Sequence, residues 1–254
     1  MEFSNRYIVG FALALCLVCS LAVSTTAVAL KDRQAANALL DMQTQICRVS
    51  GMIAADAKPS AEEAAQMFST IKVLKFSPDT GEVLGEMPFD PKAIIKASKD
   101  AATSHPASTD AASRARVSKI PKELMILKIT DPENPCYVFL IWGNGLWSTM
   151  YGYIALEPDL KTVKGITFYE QGETAGLGGE IVNPNWVAQW PGKKVFDDSG
   201  KVILDVTKFG QVKDSSYQVD GISGATITSV AVGATVQAWF ADEAYGKFLK
   251  KEGE

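Results

Sequence analysis

The chain opens with apolar positions unbroken by charge. Between Arg6 and Lys31, residues 7–30 read YIVGFALALCLVCSLAVSTTAVAL. As a helix this stretch reaches about 36 Å, more than the roughly 30 Å of a bilayer's hydrocarbon core. Ala27-Val28-Ala29 has the small side chains of a signal-cleavage site, but a signal's apolar core runs only about 7–15 residues, so the length argues for a retained anchor. Arg6 stands on one flank and Lys31 and Arg33 on the other, which leaves the orientation open on charge alone. Beyond the anchor, Ala36, Leu39, Leu40 and Ile46 keep helical spacing to about Gly51, so the helix continues out of the apolar stretch.

The period then changes. IKVLKFSPDTGEVL, residues 71–84, alternates apolar and polar positions around a Pro-Asp-Thr-Gly turn and predicts a hairpin. SKDAATSHPASTDAASRAR, residues 98–116, is small and polar and reads as a mobile surface loop or linker. From Met125, the segments MILKIT, YVFLIW, YGYIALE and TVKGITFYE are rich in β-branched and aromatic residues and predict the strands of a sheet. A glycine cluster follows, then a short helix around Asn183 to Trp190 and a further strand in KVILDVTKF. The last helix carries Ile227, Val230, Ala234, Ala238 and Ala241 at near-helical spacing and closes with Lys247, Lys250 and Lys251, cations where the helix dipole favours them. The pattern gives an α+β protein: a short segment 1–6, a single transmembrane helix over 7–30, a connector with hairpin and linker over 31–124, and a soluble domain over 125–254. That domain is expected to rest on a mostly antiparallel sheet with flanking helices.

Composition changes this picture little. Of the 254 residues, 47% are hydrophobic and 21% charged, and the net charge of -4 without a basic tract argues against nucleic acid as the main partner. Cys16 and Cys19 share a helix face inside the anchor but lack the further ligands a zinc or iron–sulfur site needs. Cys47 and Cys136 lie beyond the anchor, and whether they pair stays open. His105, the one histidine, stands in the polar linker without a catalytic partner in sequence, and Trp186, Trp190 and Trp239 read as core.

The stretch with most chemistry is DGISGATITS, residues 220–229. With a helix starting near Ser223, that serine is a natural N-cap, and the amides of Gly224, Ala225 and Thr226 are first-turn donors that attract phosphate. A plain cap accounts for Ser223 equally well. No lysine follows the glycines, which excludes a Walker loop. Asp220 suits either magnesium or an activated hydroxyl, or an Asx turn before the helix.

DGISGAT followed by ITS resembles the flavinylation motif of the FMN-binding domain family. GLWSTMYGYIALEPDLKTVKGITFYEQGETAGLGGEI, residues 145–181, resembles the matching stretch of the C subunits of sodium-translocating NADH:quinone oxidoreductases. The resemblance implies FMN joined by a phosphoester to Thr226, attached by a separate FAD-dependent flavin transferase that releases AMP, with Asp220 important for attachment. It places Ser223, Gly224, Ala225 and Thr228 at the cofactor. Glu173, Thr174, Gly176, Leu177 and Gly178 would line the isoalloxazine, with Leu177 over a face and the glycines admitting backbone to the ring edge. Trp147 and Ser148 could supply stacking and a hydrogen bond, and Lys208 a positive charge near the flavin. Each has a plainer reading: the glycines a turn, Trp147 core, Lys208 an exposed strand lysine.

The function implied is a one-electron carrier between flavin and iron–sulfur centres of a membrane complex that oxidises NADH, reduces quinone and exports sodium. Its partners would be subunits of A, B, D, E and F type and membrane lipid, with the flavin domain on the periplasmic face of a bacterial inner membrane. The chain has no dinucleotide fingerprint and no cysteine cluster, so NADH oxidation and iron–sulfur chemistry belong to other subunits. No metal site and no self-contained catalytic group is expected here. Alternatives are the G subunit of an Rnf-type ferredoxin:NAD oxidoreductase, a non-redox anchored envelope protein, and a module binding a phosphate ligand without a covalent bond.

Overall fold

A computed structural model describes residues 4–54 and 57–253. Of the segment 1–6 expected ahead of the anchor, residues 1–3 lie outside the described residues. The chain forms two compact units, Met1–Met42 and Gln43–Glu254. The first is the greater part of helix α1 (Asn5–Val49), and Phe11, Leu13, Leu17, Leu21 and Val23 all stand exposed along it. A helix apolar all round needs a hydrocarbon surrounding, and α1 is long and apolar enough to cross a membrane. The hydroxyls of Thr25 and Thr26 donate to the carbonyls of Leu21 and Ala22, so neither is left unsatisfied in such a surrounding. The continuation past the apolar stretch is as expected: within the second unit, Ile46, Cys47 and Val49 are buried, and Gln45 accepts a bond from Thr167 Oγ1 at 2.8 Å.

The second unit begins with α2 (Ala61–Phe68), started by a capping box in which Ser60 and Glu63 satisfy each other's amides. The predicted hairpin follows as β1 (Ile71–Ser77) and β2 (Glu82–Glu86), with Gly81 N–H closing the turn on Ser77 O at 2.8 Å. Then come α3 (Pro91–Ala97), β3 (Ser104–Pro106), α4 (Asp110–Arg114) and β4 (Lys119–Pro121). Next are the expected long strands β5 (Leu124–Ile129), β6 (Cys136–Asn144), β7 (Thr149–Leu156) and β8 (Val163–Glu170). A 3₁₀ turn (Gly178–Val182), α5 (Pro184–Val187), the short strands β9 (Asp205–Val206) and β10 (Gln218–Val219), α6 (Thr226–Trp239) and α7 (Gly246–Glu252) complete the chain.

One antiparallel sheet, ordered β2-β1-β5-β6-β7-β8, organises the unit. It draws β1 and β2 from the connector, so it starts earlier in the chain than residue 125, because Ile71 to Phe76 pair with Leu124 to Ile129. Strands β5 and β6 are buried along nearly their whole length, the mark of strands covered on both faces. Helix α6 lies against β6, where Trp239 Nε1 donates to Trp142 O at 2.6 Å and the two rings meet at 3.9 Å. Trp186, Trp190 and Trp239 are core, as their apolar bulk predicts.

Three expectations need correction. The 98–116 segment is ordered, with β3 paired to β4 and α4 packed on α6. Its buried residues are Ser104, Ala112 and Ala115, too small to register as hydrophobic in sequence, and Glu243 fastens it by accepting from the backbone and hydroxyls of Ser108 and Thr109. Within it His105 does have neighbours, Glu243 O at 3.3 Å from Nε2 and Asp79 Oδ1 at 3.7 Å from Nδ1. The last helix is two: α6 stops at Trp239, and the chain turns so that Tyr245 is buried, its hydroxyl 3.1 and 3.2 Å from the carbonyls of Met125 and Leu140. KVILDVTKF contributes only β9, paired parallel to β10 outside the main sheet.

Helix α4 ends in a Schellman motif, with Val117 N–H on Ala112 O at 2.8 Å and Arg116 N–H on Ser113 O at 3.1 Å. The left-handed position of that motif favours glycine, yet it holds Arg116 at φ 53°. Arg116→Gly should therefore raise stability by up to about 1 kcal/mol in chemical denaturation, glycine relieving the Cβ clash. Cys136 is a free, buried thiol whose burial pushes it up to about 12, with Lys164 opposing. It should resist iodoacetamide in the folded protein at neutral pH and react once the domain is unfolded.

Candidate functional site

The β6–β7 connection, the 172–182 turn and the start of α6 enclose a recess of about 310 Å³. Leu146 and Trp147 come from the tip of the hairpin, Glu173, Thr174, Leu177 and Gly178 from the turn, and Gly224 to Thr228 from the helix start. Trp147 is 72% exposed and Ile227 56% exposed, and Leu177 is exposed to a lesser degree. Their apolar faces therefore stand at the rim rather than in the core.

Glu173 joins these walls. Its side chain is only 8% exposed. One carboxylate oxygen accepts from Trp147 N–H at 2.9 Å and Ser148 N–H at 3.0 Å, and the other from Leu146 N–H at 3.1 Å and Thr228 Oγ1 at 2.6 Å. Ser148 Oγ lies 3.4 Å from it and itself accepts from Gly172 N–H at 2.7 Å. Burial pushes this carboxyl upward, but the bonds from Thr228 and from the amides of Trp147, Ser148 and Leu146 outweigh it and hold the group below the usual glutamate range. The carboxylate also dictates a glycine: a Cβ on Gly178 would fall 2.5 Å from Thr228 Oγ1 and 2.8 Å from Glu173 Oε2.

The DGISGAT turn is built differently from its sequence reading. Gly224 takes φ +75° and Ala225 N–H returns to Ile222 O at 3.0 Å, a tight turn that delays the helix to Thr226. Ser223 is thus no N-cap. Ala225 occupies that position without a side-chain cap bond, and Ser229 Oγ braces the turn from behind by accepting from Ile222 N–H at 2.9 Å. The amides without an intrahelical acceptor are those of Thr226, Ile227 and Thr228. Thr226, the first residue of α6, is exposed, and its hydroxyl has no hydrogen-bond partner among the described residues.

Of the residues expected at the cofactor, Trp147, Glu173, Thr174, Leu177, Gly178, Gly224, Ala225, Thr226 and Thr228 line the one recess. Ser148 lies behind it as a brace for Glu173, and Gly176 sits at the exposed tip of the turn with φ +74°. Ser223 is exposed on the outer side of the turn. Asp220 does not line it: its carboxylate accepts from Gly210 N–H at 2.7 Å, its N–H reaches Gln189 Oε1 at 3.0 Å, and its carbonyl takes Trp186 Nε1–H at 2.8 Å. It makes no Asx turn into α6 but ties the 208–211 bend to the motif. Lys208 is exposed in that bend, not on a strand, with its backbone against Gly221. Leu146 and Ile227 were missed; the signal for Ile227 was an isoleucine in a first helical turn flanked by two threonines. Among the described residues no cluster of three metal-ligating side chains occurs.

The apolar rims, and a helix start with amides lacking intrahelical acceptors and an unpartnered hydroxyl, fit a phosphate-bearing ligand, and residues 145–241 match the model of the FMN-binding domain. The chain is 42% identical over 253 residues to the C subunit of the Na(+)-translocating NADH-quinone reductase of Vibrio parahaemolyticus serotype O3:K6, covering 98% of this chain and 95% of that one. To the protein of the same name from Yersinia pestis it is 38% identical, covering 94% and 90%. The crystal structure of Shewanella oneidensis NqrC superposes with a TM-score of 0.71 at 32% identity, covering 83% of this chain and 97% of that one. The crystal structure of the corresponding protein from Parabacteroides distasonis gives 0.63 at 28% identity, covering 87% and 98%. The chain belongs to the NqrC family, the C subunits of the Na(+)-translocating NADH-quinone reductases. It is a subunit of an oxidoreductase, and with the apolar α1 this membership places it at a membrane.

Removing the charge at the hub tests its structural weight. Glu173→Gln should cost about 1–3 kcal/mol of stability, the range for a buried hydrogen-bonded charge. Because the folded-state carboxyl lies below its unfolded value, its contribution is complete above the ordinary glutamate range and fades as pH falls through the depressed value. The difference between wild type and variant in urea unfolding should therefore be largest near neutral pH and shrink in acid.

Proposed function

We propose that the recess holds FMN joined through its phosphate to Thr226 Oγ1, and that the chain relays electrons one at a time within a sodium-exporting NADH:quinone oxidoreductase. The observation that carries this is the Thr226 hydroxyl: exposed, unpartnered among the described residues, and at the start of α6 beside three amides that lack intrahelical acceptors. Attachment by a flavin transferase would let the threonine oxygen displace AMP from FAD at the flavin-side phosphorus, with the hydroxyl proton leaving. The amides of Thr226, Ile227 and Thr228 fit the phosphate, while Trp147, Leu177 and Ile227 offer apolar faces to the ring system. Bound FMN supplies one-electron oxidation and reduction. The chain's own work is to hold and cover it, and Glu173 keeps the covering loop and the anchoring helix in register.

An open recess suits a tethered cofactor, since a loosely held one would be lost to solvent from so exposed a place. Asp220 and Lys208 act, in this reading, by setting the bend beside the motif rather than by touching the ring. The domain stands on the periplasmic side, α1 crosses the inner membrane once, and the other subunits supply NADH oxidation, iron–sulfur chemistry and the sodium path. Near-full-length likeness to NqrC relatives favours this over an Rnf-type G subunit.

Co-expressed with a flavin transferase, the denatured wild type should be heavier by one FMN less water, and Thr226→Ala should show the bare polypeptide mass. A wild type that stays at the bare mass with an active transferase overturns the covalent reading, and FMN released on denaturation replaces it with a non-covalent site.

A further inference from the structure

A second recess, of about 400 Å³, opens beside the tip end of the same β6–β7 hairpin. Lys99, Arg116 and Lys119 line it, with Trp142, Asn144 and Thr149 between them. Asn144 and Thr149 are the last cross-strand pair before the hairpin tip, so this groove and the Trp147 recess share one loop. Among the described residues none of its three cations makes an ion pair, whereas Lys75, Arg114, Lys164 and Lys250 each hold a carboxylate. Lys119 Nζ reaches only the carbonyl of Lys99, at 3.4 Å. Among the described residues no acidic side chain lines the groove, in a chain of net charge -4.

The arrangement is built rather than incidental. Asn144 N–H bonds Ala115 O at 2.8 Å, which fastens the end of α4 to the hairpin and fixes where Arg116 emerges. Arg116 itself occupies the left-handed position at φ 53° that glycine would fill with less strain. A strained backbone kept at an arginine whose guanidinium has no ion-pair partner among the described residues points outward, to an anion from elsewhere.

We propose that this groove docks an acidic face of a neighbouring redox subunit, its carboxylates meeting Lys99, Arg116 and Lys119, and so brings that subunit against the flavin-side loop. Its three cations come from three places, the turn after α3, the end of α4 and β4, beside a loop with an exposed tryptophan, which fits a protein surface better than a single small anion. Complementary charge beside an exposed apolar rim orients an encounter, and its effect weakens with salt. The inference rests on the reading of the chain as an electron relay, but its test is separate.

The test uses the tagged chain, co-expressed with the flavin transferase and purified with its complex. The triple variant Lys99→Glu, Arg116→Glu, Lys119→Glu should retain at least tenfold less of the other subunits at low salt, while wild type matches that loss only at high salt. Arg116→Gly, which relieves the backbone, should retain less partner while melting no lower than wild type, so misfolding cannot account for the loss. The denatured chain reports the flavin independently: a wild type at the bare mass that also releases no FMN on denaturation sinks the relay reading, not the docking. Partner retention unchanged in both variants at every salt overturns the proposal. So does tight binding of inorganic phosphate to the wild-type chain, abolished in the triple variant, with partner retention intact; the groove then serves a small anion.

Discussion

The site depends on a single buried carboxylate. Glu173 gathers the amides of three successive hairpin residues and the hydroxyl of Thr228, which fixes two elements that no strand pairing connects. Amides arranged in a row are an anion-binding concavity, and here the anion is the protein's own. With it in place Trp147 has a defined position although its side chain is largely exposed, and α6 starts at a fixed depth beside Leu177. The hairpin amides are consequently taken up by Glu173, which leaves the start of α6 as the part of this recess able to bind an external phosphate.

That division of labour explains why keeping space open matters as much as supplying contacts. Gly178 and Gly145 lie so close to the Glu173 carboxylate that a Cβ on either would come within 2.8 Å of it. Gly178, which in sequence looks like room for a ligand, is in the fold room for side chains of the chain itself, whereas a Cβ on Gly176 would meet nothing within 4 Å among the described residues. The exposed rim is left to Leu146, Trp147, Leu177 and Ile227, a set of apolar surfaces that water wets unless a ring system or a partner covers them.

Legibility in the sequence followed the size of the side chains and the distance between partners. The strands from Leu124 to Glu170 were plain because β-branched and aromatic residues mark each of them. The hairpin of β1 and β2 was plain because its turn carries proline and glycine. The ordered segment around α4 was hidden, since alanines and a serine do its packing and a carboxylate more than 130 residues away fastens it. The 220–229 motif was singled out by its resemblance, but its geometry was not readable: a serine before a glycine looks like a cap until Gly224 turns left-handed and moves the helix on to Thr226. Glu173 was identified as a lining residue, and its role as hub was invisible because its partners lie 25 to 27 and 55 positions away.

The same device appears twice. Glu243 accepts from the amides and hydroxyls of Ser108 and Thr109 much as Glu173 does from the hairpin, and in both burial raises the carboxyl while the donated bonds lower it further. Both contributions are present above the ordinary carboxylate range and fade as pH falls through the depressed values. Asp205 runs the opposite way: burial pushes its carboxyl upward, against a weaker bond from Val206 and the charge of Arg114, so protonation in acid favours the fold there. The two clamps hold the loops on either side of α6, one at its first turn and one just past its last, whereas Asp205 lies against Gly233 in its middle. Acid should therefore loosen the ends of this helix's surroundings before its centre, and the loop bearing Trp147 is among the first parts released.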